Sequence, residues 1–176
     1  GNPAAARECA QAALALSQAM QDRVSEAVCA LSLGEAELAL RNLPAAQSGY
    51  ERALALCVEL KSPIQLDAKA GLARLALARD APHQAASVVE ELFAHFGEQR
   101  NFDGTVSAQL VHMTCVRVLE RLADPRAAAV LRDAYSEMQA QAARISDPAL
   151  RGTFLANIPV NREIESAWRQ LPQLDA

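Results

Sequence analysis

The stretch Ala13-Leu14-Ala15-Leu16 returns as Ala53-Leu54-Ala55-Leu56 forty residues further on, and a chain that repeats itself at that period has few folds open to it. Leu33-Gly34 followed by Ala46, Tyr50 and Ala53 is matched 39 residues later by Leu72-Ala73 followed by Ala85, Val89 and Leu92. The segment Leu119 to Ala128 echoes Leu77 to Ala86 at a shift of 42, with Asp124-Pro125 answering Ala81-Pro82 one residue further on. Four related units of roughly 40 residues therefore tile the 176-residue chain. A small residue such as Ala46 or Ala85 lets one helix approach the small residue (Gly34 or Ala73) of its partner, while Tyr50, Leu54 and Leu92 fill the space between neighbouring hairpins. Each hairpin then leaves an apolar face that only the next one covers, so the units must stack.

The punctuation between units predicts the elements. Apolar residues recur at helical spacing almost throughout, and hydrophobic content of 51% with aromatics at 4%, seven Gly and eight Pro describes an all-α chain. Asn2-Pro3 opens a helix to about Met20, a second runs from Asp22 to Leu40, and a third from Ala45, after Pro44, to Leu60. Ser62 as cap with Pro63 at the first helical position starts a fourth, ending near Arg79. Asp80-Ala81-Pro82 starts a fifth to about Gly97, and the polar stretch Glu98 to Gly104 reads as the longest loop. A sixth covers Thr105 to Leu122, and Asp124-Pro125 launches a seventh to about Ile145. Asp147-Pro148 caps a short eighth, and the ninth begins at Pro159 and ends by Leu171-Pro172. Trp168, with Phe154, Leu155, Ile158 and Ile164, is expected to plug a closing helix pair.

The stretch Ala27 to Leu60 resembles a tetratricopeptide repeat: Leu33, Gly34, Ala46, Tyr50 and Ala53 occupy signature positions with that family's spacing. The longer period and the tail, from Asp147-Pro148 through Asn161-Arg162-Glu163-Ile164, are similar to the repeat regions of large bacterial signal-transduction ATPases and transcriptional activators. The resemblance implies a right-handed superhelix of antiparallel hairpins over residues 1–176, with repeats over 3–145 and capping helices over 147–171. It also implies an interaction or scaffold module that takes a peptide or helix of a partner, or another part of its own parent chain, in a concave groove. The alternative it implies is a regulatory or ligand-sensing arm of a larger signalling ATPase or transcriptional regulator. In the register set by Leu33-Gly34, the groove positions are Val28, Leu31, Ser32, Glu35 and Leu38, then Asp67, Ala70, Gly71, Arg74 and Leu77, then Gln109, His112, Met113, Val116 and Glu120. Ser32, Glu35, Asp67, Arg74, Gln109 and His112 are the polar candidates for ligand binding, with Arg74 at their centre between Glu35 and His112. The Lys, Asn and Arg set with which the family's chaperone-tail binders clamp a C-terminal carboxylate is mostly missing, so such carboxylates are not the expected ligand.

Net charge of -4 and a pI near 5.4 argue against a nucleic-acid surface, because phosphate binding needs clustered cations. No long uncharged apolar run and no basic-then-apolar leader occurs, so no membrane contact is expected and a cytoplasmic location is the default. Gly1 in place of Met reads as the remnant of expression on a fragment of a longer protein. Cys9, Cys29, Cys57 and Cys115 sit singly in apolar stretches and read as buried free thiols. His83, His95 and His112 read as surface residues rather than metal ligands, and Glu35, Glu37, Glu90 and Glu91 as solvated charge. No phosphate loop, nucleophile elbow or HExxH is present, so no enzymatic activity, no metal and no cofactor are expected. A homodimer through Ala4 to Met20 is a further expectation, because the open end of a stack is apolar.

Overall fold

The computed structural model describes residues 2–96 and 104–171. It is all-helical among them, with α1 (Pro3–Ala19), α2 (Arg23–Ala39), α3 (Leu43–Glu59), α4 (Gln65–Ala78), α5 (Pro82–Phe96), α6 (Ala108–Arg121), α7 (Arg126–Ala143), α8 (Pro148–Asn157) and α9 (Pro159–Gln170). The chain divides into two compact units, residues 1–108 and 109–176. The loop expected over Glu98 to Gly104 lies, except for Gly104, outside the described residues, as does Pro172. Most helix bounds fall within one to three residues of the punctuation. The offset at α4 has a physical cause: Pro63 begins a turn rather than the helix, since Gln65 N–H donates to Ser62 O (3.2 Å) and Leu66 N–H to Pro63 O (3.0 Å) before the α-helical pattern sets in.

Five of the turns between helices use one motif. Gln21, Arg41, Lys61, Asp80 and Ala123 have φ of 55, 62, 52, 56 and 54°. At each, the N–H of the left-handed residue returns to the carbonyl three residues back, and the next N–H to the carbonyl five back, as in Asp22 N–H to Ser17 O at 2.9 Å and Asp124 N–H to Leu119 O at 2.9 Å. These are Schellman caps. At two of these turns the residue that closes the cap also bonds the start of the following helix. Asp22 accepts from Ser25 N–H (3.1 Å) and Asp124 from Arg126 N–H (2.9 Å), so one short segment terminates one helix and caps the next. The spacing of the left-handed residues, 20, 20 and 19 from Gln21 to Asp80, is half the sequence period. The turn at Ala123 follows that at Asp80 by 43 residues, one more than the shift of 42 read from the flanking sequence.

In the first unit α1 packs on α2, α2 on α3, α3 on α4 and α4 on α5, and α2 also touches α4. Its core joins Ala30, Leu31, Ala46, Tyr50, Ala53, Ala68 and Leu75. Tyr50 is completely buried and its ring lies between two glycines. A Cβ on Gly34 of α2 would stand 2.7 Å from the ring, and one on Gly71 of α4 2.4 Å. Gly49 serves another approach: a Cβ there would be 2.8 Å from Gly34 N and 3.0 Å from Ala30 O, so α2 and α3 meet backbone to backbone.

In the second unit α7, α8 and α9 pack on one another, and Arg117 of α6 pairs with Glu163 of α9 through Nε to Oε1 at 2.7 Å. The buried plug is Ile164 rather than Trp168. Ile164 is fully buried, whereas Trp168 is half-buried and stacked on Tyr135 with ring centroids 4.4 Å apart. Asn161, 1% exposed, ties α9 to α8 by donating to Phe154 O at 2.9 Å.

Several expectations about single residues are corrected. Cys9 is exposed and Cys29 half-buried, while Cys57 and Cys115 are buried. His112 is 2% exposed and therefore internal, unlike His83 and His95. Glu37 is buried and accepts from Asn42 Nδ2 at 2.9 Å, so it is not a solvated charge, and Glu35 is partly open but paired with Arg74. Glu91 is exposed and pairs with Lys69 at 2.8 Å.

Candidate binding site

The six polar candidates fall into two groups, one in each unit. In the first unit, Glu35 and Arg74 stand at equivalent points of α2 and α4, 39 residues apart, and Arg74 Nη2 donates to Glu35 Oε1. Arg74 is 9% exposed and Glu35 36% at the side chain, so the carboxylate faces outward from a buried cation. The Tyr50 hydroxyl shares this environment. Burial pushes its pKa well above the usual phenol value; the Glu35 charge adds to that and Arg74 opposes it. A phenol so held stays protonated and offers neither nucleophile nor base.

Asp67, one helical turn before Gly71 on α4, is also buried. Its two oxygens accept from Val106 N–H (2.9 Å) and Ser107 N–H (3.0 Å), which ties that later segment of the first unit to α4. Burial raises the carboxyl above its ordinary value, while those amides and Arg74 offset part of the rise. The same carboxylate and its own burial push the Cys57 thiol up, burial being the larger cause, so Cys57 rests as an unreactive thiol.

Ser32 is exposed, and its hydroxyl donates to Val28 O at 2.9 Å, leaving its lone pairs toward solvent. It joins Glu35 in a shallow groove of about 520 Å³ between α1 and α2, whose other walls are Asn2, Pro3, Ala6, Ala36 and Ala39. The polar groups on its walls are the Ser32 hydroxyl, the Glu35 carboxylate and the Asn2 amide, whose oxygen accepts from Ala4 N–H and Ala5 N–H. Register on α2 places those two residues on a concave face built from the first helix of each hairpin alone; the groove they line here is shared with α1.

In the second unit Gln109 and His112 are buried on α6 and are engaged with α7. Gln109 Nε2 donates to Gln141 Oε1 at 2.6 Å, Gln141 Nε2 to Glu137 Oε1 at 3.3 Å, and Glu137 Oε2 stands 3.4 Å from His112 Nδ1. This relay binds two helices together. A second cleft, of about 650 Å³, lies where Gln139 of α7, Leu155 of α8 and Arg162, Glu165 and Arg169 of α9 meet. Nothing in the sequence pattern marked it, since its two arginines read as scattered surface charge.

Comparison with family models, curated proteins and solved structures returns no match. No group of three or more His, Cys, Asp or Glu among the described residues is arranged to hold a metal ion. No described helix is long and apolar enough to cross a membrane.

Proposed function

We propose that the chain is a tetratricopeptide-like interaction module, a right-handed stack of helical hairpins, that holds a peptide or helix in the groove between α1 and α2. The observation that carries the reading is the outward-facing Glu35 carboxylate, fixed by the buried Arg74 at the edge of an apolar groove. A carboxylate anchored in this way is preorganised, so a ligand loses little on ordering it. The groove wall carries the Glu35 carboxylate and no cation, which suits a segment carrying apolar side chains and a Lys or Arg rather than a free C-terminal carboxylate. Contact of α2 with both α3 and α4, each turn closed by the same cap, supports the hairpin-stack reading.

The test is selection of peptides from a display library, with each selected peptide measured against the natural chain and against Ala39→Trp. Ala39 is exposed at the groove wall, so an indole there fills the groove without entering the core. Basic-apolar peptides that bind the natural chain and lose that binding with Ala39→Trp support the assignment. Equal binding to both proteins rejects it.

A further inference from the structure

The cleft among α7, α8 and α9 carries a charge that the packing of the second unit leaves unused. α9 turns Asn161 and Ile164 inward, where both are buried, and presents Arg162, Ser166 and Arg169 on another side, where all three are exposed and line the cleft. Leu155 and Ala156 of α8 form its apolar wall. Arg169 is matched by Glu165, whose Oε1 accepts from Nη2 at 2.9 Å and from Nε at 3.2 Å. Arg162 has no such carboxylate. Among the described residues its guanidinium makes one long bond, from Nη1 to Ala156 O at 3.4 Å. Ser166 follows four residues later and so stands beside Arg162 on the helix surface. Its hydroxyl accepts from Gln170 Nε2 at 3.4 Å and donates to no described group.

One cation without a counter-ion, a hydroxyl donor next to it and an apolar wall define the chemistry of an occupant. A carboxylate takes paired N–H bonds from a guanidinium, and the apolar wall takes whatever hydrocarbon follows it. The Glu165–Arg169 pair leaves no second free cation on this side of α9 among the described residues, which favours a single negative charge over two. Size agrees with a small molecule: the cleft holds about 650 Å³, within the range of roughly 300–1,000 Å³ in which such ligands are held. From Arg162 to Gln170 the helix advances about 12 Å, the reach of a medium-length acyl chain. A peptide fits less well, because the bordering elements are helices whose backbone groups are bonded within themselves, so an extended segment finds no strand edge to pair with.

We propose that this cleft binds a small amphiphilic monocarboxylate of the medium-chain fatty acid kind, its carboxylate on Arg162 and Ser166 and its chain along Leu155 and Ala156. The site belongs to the second unit and does not depend on what the groove between α1 and α2 takes.

The probe is decanoate, titrated below its micellar concentration into the intact chain and followed by calorimetry. Saturable binding is expected, with decanol binding far more weakly because it lacks the charge. Arg162→Gln should weaken decanoate about fivefold, the scale of an exposed ion pair. Ala156→Trp, which fills the cleft from an exposed position, should abolish binding, and Arg132→Gln, at an exposed arginine of α7 outside the cleft, should leave it unchanged. Unaltered melting curves for the variants separate lost binding from lost folding, and the natural chain's choice between decanoate and decanol needs no variant at all. Absence of saturable binding, equal binding of decanol, or full affinity in folded Arg162→Gln or Ala156→Trp overturns the proposal. So does binding of N-acetyl-Asp-Leu-Leu amide in preference to decanoate, since the occupant is then an acidic peptide.

Discussion

Tyr50 and the two glycines beside it set the tolerance of the first unit at the scale of single atoms. Gly71→Ala removes a poor helix former, which on propensity alone stabilises by about 1 kcal/mol. Its new Cβ would lie 2.4 Å from a ring that is completely buried and walled on the other side by Gly34, so the ring cannot retreat. Overpacking of this kind costs about 1–3 kcal/mol, and we expect Gly71→Ala to lower stability in urea unfolding. The double variant Gly71→Ala with Tyr50→Leu should recover part of that loss, because the clash leaves with the ring. Asp67 provides a test with a defined sign. Its folded pKa lies above the ordinary 3.8 because burial outweighs the amides and Arg74. Folding therefore favours the protonated form, and the contribution is present below 3.8 and lost as pH rises through the folded value. Stability of the natural chain relative to Asp67→Asn should fall as pH rises through the window just above 3.8 and then level off. A relative gain over that window means the amides of Val106 and Ser107 outweigh burial.

At the scale of helices and turns, much of the structure was legible because proline and the capping acids mark where helices start. Asp22, Asp124 and Asp147 each cap where the pattern places them. What ends the helices was not legible, since the left-handed positions hold Gln, Arg, Lys, Asp and Ala rather than glycine. At Ala123 no polar side chain compensates, and a left-handed L-residue costs roughly 1–2 kcal/mol. Ala123→Gly is therefore expected to raise stability by about 1 kcal/mol, read as a higher urea midpoint at unchanged slope; a lower midpoint contradicts the Schellman reading of that turn. The candidate site was legible only where register decides it. Glu35 and Arg74 pair because they are one repeat apart on equivalent helices. Gly71 and Ala70, read as groove positions, are core instead, because register does not reveal on which side of α4 the Tyr50 ring enters. His112 has its carboxylate neighbour, Glu137, 25 residues away on the next helix, a pairing that no repeat spacing indicates.

At the scale of the whole molecule, the two units put their polar groups to different uses. In the second, the relay from Gln109 to His112 joins α6 to α7 and is internal, so substitution there should act on stability before it acts on any ligand. In the first, Arg74 is internal but Glu35 and Ser32 remain open to the groove. Glu35→Gln should weaken a basic-apolar peptide by about fivefold, the scale of a half-exposed ion pair, with the affinity regained when the peptide's cation is also removed. If ligand is captured between α1 and α2, hydrogen exchange with and without a selected peptide shows it: amides at the start of α1, residues 4–7, and along α2, residues 32–39, exchange more slowly when the peptide is bound, and the cleft formed by α7, α8 and α9 is unchanged. Protection confined to that cleft, with residues 32–39 exchanging as in the free chain, contradicts it.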